Sequence, residues 1–356
     1  MRRVAPDAAR GLAVTGLDDP RWLDFAGSQA QATVFHHPAW SRVLVDAYGY
    51  RPRILLQLDR DGAVAAGMPL LEIQRFSPRR RFISLPFTDY CPPLASSDGG
   101  LAELTAGLLA WQRHRRVHQL VVHGGLSSAA GIQVVPRAVR HLLPLRGSSQ
   151  EFLDRIKGTQ VHRAIKKAQR EGVTARLSRS AADVDTFYQL HLETRRRQGV
   201  PVQPKRFLRL LWKHVIDPGL GFVVLAHKDG QAIAGAIYLA WNQTLIYKFG
   251  ASDPRFWELR PNNLVMWTAI EWACEHAYRE LDFGRTDMEN LGLREFKRRW
   301  GALELPLDYS YLTAAPARPV PRLSMQVMAR IIQSSPPIVC RLSGELLYGR
   351  LPGFAS

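Results

Sequence analysis

Cysteine is scarce in this chain: Cys91, Cys274 and Cys340 are its three, in 356 residues. They lie far apart and without metal-ligand spacing, which argues against a disulfide framework or a cysteine zinc site. Reduced thiols are expected, with Cys274 packed in a helix. No apolar run is long enough to span a bilayer, and the opening MRRVAPDAAR shows no secretory signal. The expected compartment is the cytoplasm. Acidic residues are in deficit, 31 against 48 basic ones, which leaves a net charge of +17. That excess favours a polyanionic partner: tRNA, an anionic lipid surface or a phosphate-bearing precursor. Charge alone does not choose among them. No nucleophile–base pair for covalent catalysis stands out, and no aromatic interleaving suggests sequence-specific RNA readout.

What is present is an ordinary globular composition, 46% apolar and 22% charged, on a chain long enough for about two domains. An internal repeat supports two. Arg53–Leu70 and Phe222–Leu239 each run as an apolar strand to Asp-Gly (Asp61-Gly62, Asp229-Gly230) and return through alternating small and apolar residues. Asp-Gly between such runs signals a hairpin. A glycine falls at the same place in both returns, Gly67 and Gly235, so two copies of one domain are expected.

Around these hairpins the first half has a helix after Asp18-Asp19-Pro20 and another from Pro38 to a stop at Gly49, whose polar side carries Arg42. His36 and His37 precede that second helix. With no third ligand nearby, capping and packing are expected of them. Phe82–Leu85 is a strand, and the prolines beyond it leave Asp89 and Tyr90 in a loop. Asp89 could equally bond its own backbone in a turn. Leu101–Val117 reads as a helix, and Ile132–Leu145 as a crossing to the second domain.

The second half opens on EFLDRIKGTQVHRAIKKAQREG, helical with a weak point at Gly158. Phe152, Ile156, Ile165 and Ala168 pack, while Arg155, Lys157, His162, Arg163, Lys166, Lys167 and Arg170 crowd the outer side. That side is either a solvated face or a landing strip for nucleic acid through Arg163, Lys166, Lys167 and Arg170. Helix Ala181–Arg197 ends in three arginines that complement its dipole. In TLIYKFGAS, alternation puts Tyr247 on one face and Lys248 on the other; both are candidate substrate contacts. The loop before the helix at Asn263 carries Arg260, Pro261 and Asn262, and the helix start with Arg260 favours an anion there. Residues 316–356 form a tail. Its pieces Ser324–Gln333 and Pro337–Tyr348 are amphipathic. Met325, Met328, Ile331 and Ile332 with Arg330 suit either a membrane surface or docking on the second domain.

The chain is organised around LDFGRTDMENLGLREFKRRWG, residues 281–301. It reads as a strand to Gly284, a polar loop holding Arg285, Asp287, Glu289 and Asn290, and a helix from about Gly292 to a stop at Gly301. Helical spacing gathers Leu293, Phe296, Lys297 and Trp300 on one face. Lys297 is thus a cation on an apolar face: either its stem lies along the core with the charge in water, or the ammonium is buried with a task. On the second reading, Lys297→Met should abolish activity and leave folding nearly intact. Asp282 is a candidate general base, or else a partner for Arg285 or Lys297.

This stretch resembles the C-terminal signature of Fem-type acyltransferases, GNAT-fold enzymes related to the peptidoglycan bridge-forming aminoacyltransferases. The shared pattern is strand-Asp-Phe-Gly-Arg, a loop, then Gly-Leu-x-x-Phe-Lys-x-x-Trp-Gly. The resemblance extends to Phe35–Trp40 with Tyr48-Gly49-Tyr50, to Ser84–Tyr90, and to Arg163–Val173, and fades after about Thr313. It implies that Phe296 and Lys297 are the family's Phe-Lys pair, with the lysine steadying the tetrahedral intermediate. It implies that Arg42 helps hold the acceptor, and that Arg196, or a neighbour in its triplet, binds acceptor phosphates. The family's loop for coenzyme A pyrophosphate is normally glycine-rich. Here Arg260, Pro261 and Asn262 replace the run, which disfavours a close main-chain wrap and favours an aminoacyl-tRNA as acyl donor.

The resulting expectation is an α/β chain of two tandem GNAT-like domains with mixed sheets, residues 1–148 and 149–315, plus a helical tail at 316–356. Its expected reaction is acyl transfer, most concretely of an aminoacyl group from tRNA to an amine on a cell-wall or cell-envelope precursor, with no tightly bound cofactor. The alternatives are an acyl-CoA-dependent N-acyltransferase in polysaccharide or lipid assembly and a non-catalytic envelope-assembly protein. Peripheral contact with an anionic membrane, at its inner face, fits each of them.

Overall fold

The structure is a computed structural model that describes residues 11–73, 79–313 and 329–347. The chain forms two compact units. Among described residues the first holds 11–138 and 306–313, and the second holds 139–305 and 329–347.

In the first unit, β1 (Leu12–Thr15), β2 (Arg51–Leu58), β3 (Val64–Glu72), β4 (Arg81–Ile83), β6 (Gln119–Val122) and the end of β13 (Leu303–Thr313) lie side by side in that order, with β5 (Leu94–Ala95) off β3. The pairings run antiparallel from β1 to β4, parallel at β4/β6 and antiparallel at β6/β13. Helices α1 (Pro20–Ser28), α2 (Pro38–Tyr48) and α3 (Asp98–His114) complete the unit. Asp19 and Ser97 cap α1 and α3 through their side chains, and Gly49 ends α2 in the left-handed conformation. The core gathers Leu55, Met68, Phe82, Leu108 and Trp111.

The second unit repeats this order with β8 (Thr174–Ser178), β9 (Gly221–Lys228), β10 (Gln231–Trp241), β11 (Thr244–Ser252), β12 (Glu280–Thr286) and the end of β7 (Gln133–Pro144). Orientation repeats too: antiparallel through β11, parallel at β11/β12, antiparallel at β12/β7. Its helices are α4 (Ser149–Ile156), α5 (Gln160–Arg170), α6 (Ala181–Arg197), α7 (Lys205–Leu211), α8 (Pro261–Glu275) and α9 (Leu291–Arg299). Gly158, with φ 76°, is the break between α4 and α5.

The two Asp-Gly hairpins therefore occupy equivalent places, β2/β3 and β9/β10. The paired glycines have one physical reason. A Cβ on Gly67 would meet the Leu55 carbonyl oxygen at 2.8 Å and the Trp22 ring of α1 at 3.0 Å. On Gly235 it would meet the Val224 carbonyl oxygen at 3.0 Å and the Phe187 ring of α6 at 3.3 Å. In both units a helix ring presses against the sheet where the strand lacks a side chain.

The sequence-based boundaries need correction. The change of unit comes at residue 138/139, inside β7, and residues 306–313 complete the first unit. A strand supplies few local signals of which sheet it will join, so a run-by-run division misses such exchange. Helix α3 begins at Asp98, three residues before the expected start, because Ser97 caps it. Residues 1–10, 314–328 and 348–356 lie outside the described residues, and with them the expected loose start, the linker, Met325 and Met328.

Candidate active site

The site in the second unit begins where β11 and β12 part. They pair over Thr244–Ile246 and Glu280–Asp282, and then run on without pairing to Ser252 and Thr286. The β12/β7 register shifts between Asp282 and Arg285, and Gly284 within that bulge has φ 69°, which suits glycine. The carbonyls of this bulge turn to Lys297. Its Nζ donates to the Phe283 and Gly284 carbonyl oxygens at 2.8 and 2.9 Å and to Thr286 Oγ1 at 2.7 Å, with the Arg285 carbonyl oxygen at 3.3 Å. Lys297 is buried, so the ammonium is desolvated but surrounded by oxygen, the condition that lets a charge remain inside a protein.

Helix α9 sets that position. Asn290 caps it, accepting from the Leu293 N–H at 3.1 Å, and Gly301 ends it with φ 88°. Lys297 and Trp300 are buried and Phe296 packs at the edge of the core. Leu293, expected on the same face, is instead exposed, because the first turn of this short helix stands clear of the sheet. Asp282 is buried; its Oδ1 accepts from the Gly284 N–H at 2.8 Å and its Oδ2 lies 3.6 Å from Arg140. One cationic partner therefore comes from β7. Arg285 pairs with Asp287 at 2.9 Å.

A pocket of about 270 Å³ opens beside this arrangement, between α5, the start of α8 and α9. Arg163, Lys167, Arg260 and Arg299 line it with Asn263 and Phe296, and no carboxylate does. Glu258, largely exposed, sits 3.8 Å from Lys167 and 3.9 Å from Arg260, and Glu295 holds Arg299 at 2.9 Å. Exposed partners neutralise weakly, so the pocket stays electropositive. The α8 start adds little main-chain donation. Pro261 has no N–H, and the Asn263 N–H turns back to the Arg260 carbonyl oxygen at 3.1 Å. Arg260 itself adopts the left-handed conformation, φ 59°. The donors this pocket offers are therefore side chains.

Three separately predicted residues, Arg163, Lys167 and Arg260, thus meet in one pocket with Phe296. Lys166 and Arg170 are exposed on the outer side of α5 and do not line it. The Asn262 amide donates to Ser252 Oγ at 3.3 Å. The Tyr247 ring packs 5.6 Å from that of Tyr238, and burial pushes its hydroxyl pKa up to about 12. Lys248 is the extra residue of a bulge opposite Ile237 and Tyr238, its ammonium 5.5 Å from the Phe249 ring centroid. Arg196 donates to the Ser335 carbonyl oxygen at 2.7 Å and pairs with Glu193 at 3.3 Å; with Arg197 and Gln333 it lines a separate hollow of about 760 Å³. In the first unit, Arg42 pairs with Asp18. The Asp89 carbonyl oxygen accepts from the Tyr309 hydroxyl at 3.0 Å, and Tyr90 packs against Leu307 and Tyr309.

Sequence reasoning missed Arg299, Asn263 and a buried group beside Lys297. His141, on β7 opposite the bulge, lies 3.1 Å from Glu304, whose carboxylate takes two bonds from Arg294 at 2.8 and 2.6 Å. Burial first, then the Lys297 charge, hold the His141 pKa below its ordinary value. The apolar face drawn from helical spacing left Arg299 out; it stands three residues from Phe296, where i and i+3 side chains are neighbours, and so lines the same pocket. Among described residues no cluster of metal-ligating side chains occurs, and no helix is long and apolar enough to cross a membrane.

Residues 157–298 match the family model for the acetyltransferase (GNAT) domain. The lipid II:glycine glycyltransferase of Staphylococcus aureus is 33% identical over 81 residues, 21% of this chain. The match spans 19% of that relative's length. The crystal structure of FemX superposes with a TM-score of 0.69 at 14% identity, covering 89% of this chain and all of that one. Residues 157–298 thus carry a GNAT acetyltransferase domain, and the chain is similar in fold to FemX. Its fold is that of two tandem GNAT-like domains. A tandem GNAT protein from the clavulanic acid biosynthesis pathway has a TM-score of 0.50 at 12% identity over 86% of this chain and 99% of its own. L-PGS from Bacillus licheniformis has a TM-score of 0.52 at 13% identity over 90% of this chain and 98% of its own. The residues matched by the GNAT model, 157–298, contain the α5 cations, the α8 start and the Phe296-Lys297 pair.

Proposed function

We propose that this protein is an acyltransferase that moves an aminoacyl group from tRNA to an amine of a cell-wall or cell-envelope precursor, working in the cytoplasm at the inner face of the membrane. The observation that carries this reading is the electropositive pocket against Phe296, one residue from the buried Lys297. The pocket suits the phosphates of an acyl donor. The likeness to a lipid II:glycine glycyltransferase supports an envelope acceptor.

In this reading the acceptor amine attacks the carbonyl carbon of the donor ester. The C–N bond forms, charge collects on the carbonyl oxygen, and collapse expels the donor's hydroxyl oxygen, which ends with a proton lost by the amine. Lys297 supports the oxyanion. Four oxygens share its three N–H groups, and the Arg285 carbonyl oxygen, the most distant, is the one displaced. A placed hydrogen-bond donor of this kind is worth about 10²–10³ in rate. Asp282, tied to Gly284 and Arg140, braces the bulge.

A second reading, transfer from an acyl-CoA, is favoured by the match to the GNAT acetyltransferase model. The test is incubation with charged tRNA and, separately, with acyl-CoA, following label into candidate precursors. Labelling from tRNA alone supports the proposal, and labelling from acyl-CoA alone selects the second reading. Labelling from neither leaves the non-catalytic alternative.

A further inference from the structure

The tail is packed in an unusual sense. Helix Pro337–Leu347 turns its small residues inward and its large ones out. Cys340 is fully buried, its thiol 3.5 Å from the Val200 carbonyl oxygen. Gly344 presses so closely on the Val202 main chain that a Cβ there would lie 1.8 Å from its carbonyl oxygen. Ile338, Leu342 and Leu346, at successive four-residue steps, are 52%, 50% and 55% exposed. In the preceding helical turns Ile332 is buried and Ile331 is exposed. Of the two alternatives read from the sequence, docking on the second unit is the one met, and it leaves an aliphatic stripe uncovered.

Exposed cations flank the stripe. Arg341 lies within the helix and Arg330 just before it, both exposed. On the docked side of the helix, Arg196 donates to the Ser335 carbonyl oxygen and Arg195 lies near the buried Cys340 thiol. Lys205 reaches the Tyr188 ring at 6.0 Å, and Tyr188 also feels Arg341 and Glu345. Against these five cations stand Glu193, paired with Arg196, Glu345, paired with Arg341, and Asp185, paired with Lys205. An apolar stripe flanked by exposed Arg330 and Arg341, on a helix too short to span, has the character of a segment that lies in a membrane interface.

We propose that the stripe Ile338, Leu342 and Leu346 docks this protein on the surface of an anionic bilayer. The inference deepens the functional reading by naming the face that meets the membrane. Lipid binding is measured without any transfer assay, so either can fail while the other stands. The docked helix keeps its seam on the second unit, and its aliphatic side enters the headgroup boundary while the cations meet anionic lipid. A rigid anchor of this kind fixes the orientation of the second unit toward the bilayer.

The test is co-flotation of the full chain with vesicles of phosphatidylcholine alone or of phosphatidylcholine with 30% phosphatidylglycerol. The expected result is partition to the anionic vesicles, weakened by 0.5 M salt. In Ile338→Ser with Leu342→Ser it should fall about tenfold or more, from lost apolar burial. Both positions are exposed, so the variant should melt like the parent; Ile338→Met with Leu342→Met, which keeps apolar area, should restore binding. Equal partition of the serine variant and the parent would overturn the proposal, as would no parent binding to anionic vesicles. A dimer of the parent in light scattering that the serine variant abolishes would assign the stripe to a second copy and also overturn it.

Discussion

Lys297 Nζ lies 2.9 Å from the carbonyl oxygen of Gly284, a residue in the left-handed conformation. The helix cation and the strand bulge define each other. The bulge aims its carbonyls at one point, and the ammonium makes that convergence stable. Remove the charge and several buried carbonyl groups lose their donor; straighten the bulge and the ammonium loses its oxygens.

Lys297→Met should therefore do more than abolish transfer. Spacing on the helix suggests a fold nearly intact, since methionine keeps the stem. The contacts revise this: stability should drop by roughly 2–3 kcal/mol from unsatisfied buried acceptors. Urea unfolding of parent and variant checks it. A midpoint equal to the parent's would show that water replaces the ammonium at no cost.

Gly284→Ala should separate geometry from charge. A Cβ in the left-handed region costs roughly 1–2 kcal/mol, and relief of that strain shifts the Phe283 and Arg285 carbonyls. With Lys297 still present, kcat is expected to fall at least about tenfold while KM for the acyl donor changes little. A variant of unchanged kcat, with the strain visible only in its melting temperature, would remove the bulge from the active arrangement.

Salt dependence should divide the basic residues into two groups. RNA affinity is expected to fall with salt at a log–log slope of about −0.7 per contacted phosphate. Lys167→Gln with Arg260→Gln should flatten the slope and raise KM for charged tRNA. Lys166→Gln with Arg170→Gln, on the outer side of α5, should flatten the slope with a smaller effect on KM. Because phosphate contacts do not read sequence, all tRNAs should weaken alike. Tight binding with the parent slope in both variants would make these faces merely solvated.

Acid should destabilise both units before their carboxylates titrate. Burial holds His36 down to about pKa 4 and His191 to about 3. Below about pH 6.5 the unfolded chain takes up protons that the fold does not, so stability falls as pH falls. Each histidine contributes a slope of about 1.4 kcal/mol per pH unit, down to its folded pKa. Urea midpoints at pH 7.5, 5.5 and 4.5 measure this. His191→Gln should lower the slope by one proton's worth, and an unaltered slope would place its proton uptake elsewhere.

Much of the fold was legible because its signals are local. The Asp-Gly turns, Pro38, Gly49, Gly158 and Gly301 mark ends of elements through conformations that few other residues adopt. The duplication was readable from Gly67 and Gly235 because one steric demand recurs. Lys297 was singled out by its apolar neighbours, but its partners were not readable. They are main-chain carbonyls, which carry no residue identity, turned by a bulge that no side chain announces. His141 and Glu304 escaped for a related reason. They come from strands far apart in sequence, and neither stands in a motif. The pocket united Arg163, Lys167 and Arg260, which spacing had divided between two roles, since a helix face read alone does not show what lies across from it.

The exchange of strand ends has a consequence for how the chain matures. The first unit is closed by Ser310–Thr313 pairing with Gln119–Val122. It is clasped further by Ser310 Oγ donating to the Gly124 carbonyl oxygen at 2.8 Å and by the Gln112 amide donating to the Leu312 carbonyl oxygen at 2.8 Å. These contacts join residues separated by 186 and 200 positions. During synthesis, the first unit must wait with an open sheet edge until nearly all of the second has emerged. Such long-range closure slows folding and exposes an unpaired edge meanwhile. A nascent chain released after residue 148 should be an aggregation-prone fragment, and folding of the whole should be a single late event.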